Sequence, residues 1–298
     1  MSPSITVIVP TRHRPDYLDV TVRSILTAAA ELQVAHGVGT RVLVVDDAPD
    51  NDDALEVTRR LGADYVRVEE HDGRKDPGAA IVLGVQNVTS TYQTIFGDDD
   101  IMLPRHLTAA WELLQDGYDV VSSSFTVVDA RLAPLQTRLL EPAHIGDLVA
   151  GHTWMNDGSF VAHELVRDLD WDVALEAHML VPIWGRLLLD GRRFGQVREA
   201  TWLYRRHDAN ISQTAHSPHD RALREKVLGR LAEDTRAVLG EVPASPYAER
   251  LAAEAEERRL VKERKAARKA ERRQAEEAAR AASPITRARR RLARSIAP

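Results

Sequence analysis

The feature that most constrains the fold is an alternation of short apolar runs with amphipathic stretches over the first 125 residues. The runs Ile5–Val9 and Val42–Val45 are short, β-branched and bounded by polar or turn residues, which predicts buried strands. Weaker candidates of the same kind are Tyr65–Val68, Thr94–Phe96 and Asp119–Ser122. Apolar residues recur at helical spacing in the stretches 15–32, 52–61 and 104–114 between them. This alternation predicts a parallel sheet with helices on both faces, whose ligands bind at the carboxyl ends of the strands.

The pattern changes along the second half of the chain. A helix over Pro182–Leu189, a strand over Phe194–Val197 and an amphipathic helix over Ala222–Leu239 are predicted. Residues 247–282 are almost entirely Ala, Glu, Lys and Arg, a composition that favours helix but offers no core-facing stripe. We therefore expect a sheet domain over residues 1–215, a helix and chain break over 216–246, and a charged helical tail over 247–298.

Composition excludes several kinds of chemistry. The chain has no cysteine, so disulfides, zinc–thiolate sites and thiol nucleophiles are excluded. Its first residues, MSPSITVIVP, lack the features of a signal peptide, and no stretch approaches the roughly 18–20 apolar residues of a membrane span. We expect a cytoplasmic protein. The net charge of −5 divides into +8 over residues 249–298 and −13 over the remainder, so an acidic body carries a basic tail.

The strongest chemical signal is the segment FGDDDI over residues 96–101, which directly follows a predicted strand. Three adjacent carboxylates repel one another unless a cation or hydrogen-bond donors offset their charge. Carboxylate oxygens are the ligands that Mg²⁺ and Mn²⁺ prefer, usually together with substrate phosphates. Asp also favours solvated turns and helix N-caps. Taken alone, the segment is equally consistent with two interpretations. One is a divalent ion held against a diphosphate, and the other is a solvated acidic turn.

Two further polar segments follow predicted strands. Asp46 and Asp47 end the strand VLVV, where they indicate a capped turn or an acidic pocket. A phosphoacceptor receiver domain would also need an isolated aspartate at the next strand end and a lysine beyond it, and neither is evident at suitable spacing. The loop PTRHRP over residues 10–15 contains no glycine, which disfavours dinucleotide-binding and Walker-type phosphate loops. It offers hydroxyl and guanidinium groups instead.

The histidine at position 207 lies in the polar segment YRRHDANIS over residues 204–212. A lone histidine is more often a structural or surface residue than a metal ligand. A site opened by Asp98–Asp100 would need a donor from a distant segment to complete it. The polar neighbours of His207 favour that role.

Together these segments resemble glycosyltransferase family 2, the inverting enzymes with the GT-A fold. ITVIVPTRHRP, VVDDA, FGDDDIMLP and YRRHDANIS occur in the family's order and at its usual distances, over about residues 5–212. The resemblance implies an α/β fold of GT-A type, a mostly parallel central sheet flanked by helices, here with a C-terminal helical extension. It also implies metal-dependent transfer of a sugar, with inversion, from a nucleotide-diphosphate sugar donor to an acceptor hydroxyl. The acceptor would be a saccharide or a lipid-linked glycan.

The resemblance also implies roles for individual residues. Thr11 and Asp46 would contact the nucleotide base and ribose. Asp98 and Asp100 would be the acids of the D-x-D motif that bridge metal and diphosphate, and His207 would be the remaining ligand of Mn²⁺ or Mg²⁺. Because three acids are consecutive, Asp99 is an alternative for one of them. The predicted nucleotide-binding residues are Pro10, Thr11, Arg12, Arg14, Asp46, Asp47, Gly78, Asp98 and Asp99.

Two segments depart from the family pattern. Members usually carry Gly-x-x-x-Ala-Arg-Asn-x-Gly before the fourth strand, whereas residues 77–84 are PGAAIVLG and lack the Arg and Asn. Members also carry a Glu-Asp pair just ahead of a Trp-x-Arg helix, and its Asp is the catalytic base. Trp184-Gly185-Arg186 is present, but MLVP occupies residues 179–182, where the pair should fall. The candidate substitutes are Glu176, which we favour, His178 and Asp172.

The missing pair keeps other interpretations open. One is a non-catalytic protein that binds nucleotide sugars. Another is a sugar-1-phosphate nucleotidyltransferase, which would need a glycine-rich turn where this chain has PTRHRP. The basic tail is either a solvated helix or a surface for a helical partner or an anionic membrane. A membrane would suit a lipid-linked acceptor and place the protein peripherally at the inner face. Nucleic acid is not expected as a partner, because the tail lacks aromatics and the body is acidic.

Overall fold

A computed structural model describes residues 4–48, 50–69, 77–152, 158–171, 178–208, 210, 217–282 and 288. The chain divides into two compact units, Met1–Ser245 and Pro246–Pro298. The finer domain boundaries inferred from the sequence stay predictions.

The first unit interleaves strands with helices, as the alternation predicted. Its strands are β1 (Ser4–Thr11), β2 (Gly39–Asp46), β3 (Asp64–Arg67), β4 (Tyr92–Ile95), β5 (Ile101–Met102), β6 (Val120–Val128), β7 (Pro134–Arg138), β8 (Phe160–Ala162) and β9 (Phe194–Arg205). Its α-helices are α1 (Pro15–His36), α2 (Asp53–Leu61), α3 (Pro77–Gln86), α4 (Arg105–Gln115), α5 (Ile145–Val149), α6 (Leu180–Leu189) and α7 (Pro218–Leu239). Of these helices, α3 and α5 were not predicted from the sequence.

The described strands form one mixed sheet in the order β3-β2-β1-β4-β8-β6-β9-β5, and β7 pairs with β6. The strands β3, β2, β1 and β4 are mutually parallel, and β6 is parallel to β9. The short strand β8 runs antiparallel to both of its neighbours. The predicted α/β class is confirmed, with a mixed central sheet that is flanked by helices and followed by a helical region.

Local sequence explains why the first strand and helix form. All side chains from Ile5 to Val9 are buried, so β1 lies in the centre of the sheet. Helix α1 begins at Pro15, where the absent N–H would have no partner anyway. It ends before Gly37, whose φ of 67° is the left-handed conformation that glycine adopts at no steric cost. Its buried residues Leu18, Val22, Ile25 and Leu32 recur at helical spacing and join the main core.

The order of the strands determines where a site can form. The chain leaves β1 through α1 to β2 on one side, whereas β4 lies on the other side of β1. In an open α/β sheet, a crevice for ligands forms at the carboxyl edge where the direction of winding reverses in this way. Thr11 pairs with Asp46 at that edge, and Ile8 pairs with Ile95 close by. The predicted acidic segments therefore meet at the reversal between β1 and β4.

The second unit is built around one long helix, α8 (Pro246–Ala282), of 37 residues. The side chains described from residue 252 onward in this helix are exposed. Across the described part of the chain, no helix combines the length and the apolar character that a membrane crossing requires.

Replacing Gly84 by Ala tests how closely α3 packs on the sheet. A Cβ at Gly84 would overlap Cγ2 of Ile8 and lie 3.3 Å from Cγ2 of Val45. We expect Gly84→Ala to lower the free energy of unfolding by about 1–3 kcal/mol, because an overpacked interface forces its side chains to shift. Urea denaturation measures the change.

The control is Gly229→Ala in α7, where nothing lies within 4 Å of the added Cβ. It should stabilise the protein by up to about 1 kcal/mol, because Ala is the better helix former. Equal unfolding midpoints for the two variants would contradict the packing described here.

Candidate active site

The three consecutive acids lie in the turn after β4 and are buried. Asp98, Asp99 and Asp100 are 6%, 7% and 1% exposed, which excludes a solvated acidic turn. A buried charge is tolerated only when it is paired or hydrogen-bonded. The buried hydroxyl of Thr21, from α1, lies 2.8 Å from the carbonyl oxygen of Asp98 and 2.7 Å from that of Asp100. The first helix therefore fixes the backbone of the turn.

The end of β1 and the loop after it supply partners for the first two acids. Thr11 Oγ1 donates to Asp98 Oδ2 at 2.7 Å. Arg14 Nη1 lies 3.1 Å from Asp98 Oδ1 and 2.9 Å from Asp99 Oδ2, so one guanidinium serves both carboxylates. Burial raises the pKa of Asp98 to about 6, and the charge of Asp99 adds to the rise, while Arg14 and Thr11 oppose it.

The segment after β9 supplies partners for the second and third acids. His207 Nε2 lies 2.9 Å from Asp99 Oδ2, and Asn210 Nδ2 donates to the same oxygen at 3.3 Å. The backbone N–H of Arg205 donates to Asp100 Oδ1 at 2.9 Å. Asp99 is thus the acid that His207 contacts, which is the alternative that the sequence left open beside Asp98 and Asp100.

An aromatic ring from α1 holds this segment in place. The ring of Tyr17 stacks on the ring of His207, with centroids 4.8 Å apart and planes at 25°. The guanidinium of Arg205 lies 4.8 Å from the centroid of the Tyr17 ring. The sequence did not single out Tyr17, because nothing in its own neighbourhood indicates that a segment 190 residues away returns to it.

The second strand ends in a separate buried carboxylate. Asp46 is fully buried, and it accepts hydrogen bonds from Ala48 N at 2.9 Å, Tyr65 Oη at 2.7 Å and Arg67 Nη2 at 3.3 Å. Burial raises the pKa of Tyr65, and its hydrogen bond to Asp46 adds to the rise, so the phenol stays a donor. The sequence analysis did not identify Tyr65 and Arg67 as site residues. Both lie in β3, and residues two apart in a strand face the same side, so the pattern could have placed them together.

The other predicted nucleotide-binding residues lie in β1 and α3 or directly after β1 and β2. Arg12 Nη1 forms an ion pair with Asp47 Oδ2 at 3.0 Å, directly after β1 and β2. Pro10 is half-buried near the end of β1. Gly78 is buried in the first turn of α3.

The candidate bases divide into two groups. Glu176 and Asp172 lie outside the described residues. His178 is described, and its Nε2 lies 3.0 Å from Asp220 Oδ1 in the first turn of α7. The next residue, Met179, belongs to the buried cluster that includes Val45 and Ile95, the residues at or next to the ends of β2 and β4.

The predicted metal ligands are only partly brought together. Within the ranges described above, no group of three or more His, Asp or Glu side chains is arranged to hold a metal ion. The contact that does form joins His207 to Asp99. The metal-binding role of Asp98, Asp100 and His207 stays a prediction.

Comparison with known proteins identifies the family to which this architecture belongs. The model of the family described as "Glycosyl transferase family 2" matches residues 6–160. The match covers the strands and acidic turn that build the site, and it ends before the segment that carries His207. Among the curated proteins, no sequence matches this chain.

Similar solved structures share the fold at low sequence identity. The crystal structure of S. aureus TarS 1-349 is 15% identical, with a TM-score of 0.54 over 79% of this chain and 72% of that chain. The complex of that protein with UDP-GlcNAc is 14% identical, with a TM-score of 0.54 over 78% and 73%. Glucosyl-3-phosphoglycerate synthase from Mycobacterium tuberculosis, in complex with Mn²⁺, UDP and glucosyl-3-phosphoglycerate, is 18% identical, with a TM-score of 0.53 over 76% and 81%.

Replacing Thr21 by Val tests the support of the acidic turn. The change keeps the shape of the side chain and removes the hydroxyl that the carbonyls of Asp98 and Asp100 face. We expect a loss of about 1–3 kcal/mol in the free energy of unfolding, because buried carbonyls are left unsatisfied. Thermal or urea denaturation measures it. The control is Thr27→Val on the exposed side of α1, whose hydroxyl donates to the Arg23 carbonyl one turn back. Equal losses in the two variants would show that the turn does not depend on Thr21.

Proposed function

The chain belongs to glycosyl transferase family 2, and on that basis we propose that its buried acidic site binds a nucleotide-diphosphate sugar and a divalent ion. The protein is a nucleotide-sugar-dependent glycosyltransferase. The proposed reaction transfers the sugar to an acceptor hydroxyl with inversion. One observation carries the proposal. His207 contacts Asp99, which lies 108 residues earlier in the chain, at the carboxyl edge where β1 and β4 lie side by side.

The donor nucleotide is proposed to bind along the ends of β1 and β2. The carboxylate of Asp46 can only accept hydrogen bonds, so it suits the N–H groups of a base or the hydroxyls of a ribose. Tyr65 and Arg67 hold that carboxylate in one orientation, which reduces the cost of ordering it when the nucleotide binds. Thr11 lies on the neighbouring strand, in register with Asp46.

The residues present fit a divalent ion shared with a diphosphate. Asp99 Oδ2 gathers nitrogen donors from Arg14, His207 and Asn210, so a bound ion would take the place of one or more of these donors on the carboxylate. A carboxylate and an imidazole are too few ligands for a cage built by protein alone. They suit an ion that completes its coordination with substrate phosphates and water. The ring nitrogen favours Mn²⁺ over the harder Mg²⁺.

The bound ion would supply Lewis-acid stabilisation of the leaving nucleoside diphosphate. Arg14 adds a second positive charge to the same edge of the sheet, because its guanidinium is already held between Asp98 and Asp99. Tyr17 and Asn210 keep His207 and Asp99 oriented through the ring stack and the amide hydrogen bonds. These contacts preorganise the site before the donor binds.

We propose His178 as the base that takes the proton of the acceptor hydroxyl. Its partner Asp220 holds the imidazole by a hydrogen bond, an arrangement that fixes the orientation of the ring. The neighbouring Met179 belongs to the buried cluster that also contains residues at or next to the ends of β2 and β4, which supports a position near the carboxyl edge. The acceptor is proposed to be a saccharide hydroxyl, free or linked to a lipid.

Replacing Asp99 by Asn tests the proposed ion site. We expect Asp99→Asn to weaken Mn²⁺ binding at least about 10-fold and to slow release of the nucleoside diphosphate by about 100-fold or more, because a ligand and a charge are lost. Electron paramagnetic resonance of free Mn²⁺ reports binding, and a coupled assay reports release. The matched control is Asp208→Asn, an exposed acid next to His207. Undiminished Mn²⁺ affinity in Asp99→Asn would exclude Asp99 as a ligand.

Replacing His178 by Gln tests the proposed base. We expect kcat to fall by about 10²–10⁴-fold, the usual contribution of a positioned base, with the Kd of the donor unchanged. Steady-state kinetics and donor titration measure the two quantities. The control His219→Gln changes the residue beside Asp220 and should leave both unchanged. Full turnover by His178→Gln would show that the base is another residue, with Glu176 and Asp172 as the remaining candidates. If the unaltered protein bound the donor without any turnover, the result would support a non-catalytic binding protein.

A further inference from the structure

Four basic residues of helix α8 share one face. Arg258, Lys262, Lys265 and Lys269 follow one another at spacings of four, three and four residues. At 3.6 residues per turn, this spacing places them within an arc of about 60° and over a length of about 17 Å. All four side chains are exposed. These four residues are called the cationic stripe below.

Two acidic residues of this part of the helix lie on its other side, whereas Glu254 and Glu276 lie on or beside the face of the stripe. Glu256 and Glu263 are more than about 120° from the centre of the cationic stripe. Arg259 lies between them and pairs with both, at 2.5 Å from Glu256 Oε1 and 3.0 Å from Glu263 Oε1. This side of the helix therefore satisfies its charges within itself, as a solvated helix does.

The cationic stripe is not compensated in this way. Arg258 pairs with Glu254 at 3.7 Å, whereas Lys262, Lys265 and Lys269 form no ion pair with any residue that the structure describes. Two pairs within the stripe place like charges four residues apart, which destabilises an isolated helix. An anionic surface outside the helix would relieve that repulsion.

We propose that the cationic stripe binds the surface of a bilayer that contains anionic phospholipids, which would hold the protein peripherally at a membrane. The large apolar residues Leu260 and Val261 lie off the arc of the stripe, so the contact would rest on charge and not on insertion. Each basic residue near such a surface strengthens binding about fivefold. Residues 249–298 include no aromatic side chain on which bases could stack, which disfavours single-stranded nucleic acid. The proposal does not depend on the sugar-transfer site.

Vesicle co-sedimentation of the full chain tests the proposal with two matched variants. Lys262→Gln/Lys269→Gln removes two charges from the stripe, and Arg259→Gln/Arg264→Gln removes two charges off it. We expect the unaltered protein to bind equimolar phosphatidylcholine–phosphatidylglycerol vesicles and not to bind pure phosphatidylcholine vesicles. Added salt should release it from the anionic vesicles. The stripe variant should bind about 30-fold more weakly. The off-stripe variant should lose less than about threefold, since its charges lie about 5–10 Å farther from the surface, comparable to a Debye length of about 8 Å.

Because both variants change the net charge equally, the comparison separates the face of the helix from its total charge. Circular dichroism should show equal helix content in both. Equal losses of vesicle binding, or equal binding to neutral vesicles, would overturn the proposal. So would tighter, stripe-dependent binding to an RNA or DNA duplex. Release of the nucleoside diphosphate in solution should be the same in both variants, so the two proposals fail or stand separately.

Discussion

Asp98, Asp99 and Asp100 lie side by side with almost no exposure to water, so their charges are poorly screened and must be matched by protein groups. Donors reach them from the loop after β1, from the end of β9 and from the segment beyond it. Removing one partner would leave a buried charge uncompensated, at a cost of about 3–5 kcal/mol. The need to compensate these acids therefore brings the loop after β1, the end of β9 and the segment beyond β9 together in one site.

Strand order explains how such distant segments meet. The reversal of winding between β1 and β4 brings the loop after Thr11 beside the acidic turn. Directly after that turn, Ile101 pairs with Leu203 and Met102 with Trp202. This short antiparallel pairing places the end of β9 next to the acids, so that Arg205 N–H reaches Asp100 and the following residues bring His207 to Asp99. A two-residue strand thus decides which histidine joins the site.

The limits of prediction from sequence have physical causes at particular elements. The strands β1 and β2 were predicted because they contain short β-branched runs bounded by polar or turn residues, and helix α1 because it has a clear helical period that begins at Pro15. Helix α3 was missed because PGAAIVLGVQ is apolar on all sides and shows no amphipathic period. Strand β8 has three residues, too few for alternation to be visible. Tyr17, Tyr65 and Arg67 were missed because their importance lies in contacts with other segments.

The sequence by itself determined the class of the fold, the edge of the sheet at which a site forms, and the residue types gathered there. These follow from local periodicity and from the rule that parallel strands present their carboxyl ends together. Only the tertiary structure decided which of three identical acids faces His207. Side chains of consecutive residues in a turn point in different directions, and the strand pairing far along the chain selects among them. The partner of His178 was decided in the same way, because Asp220 lies on a separate helix 42 residues on.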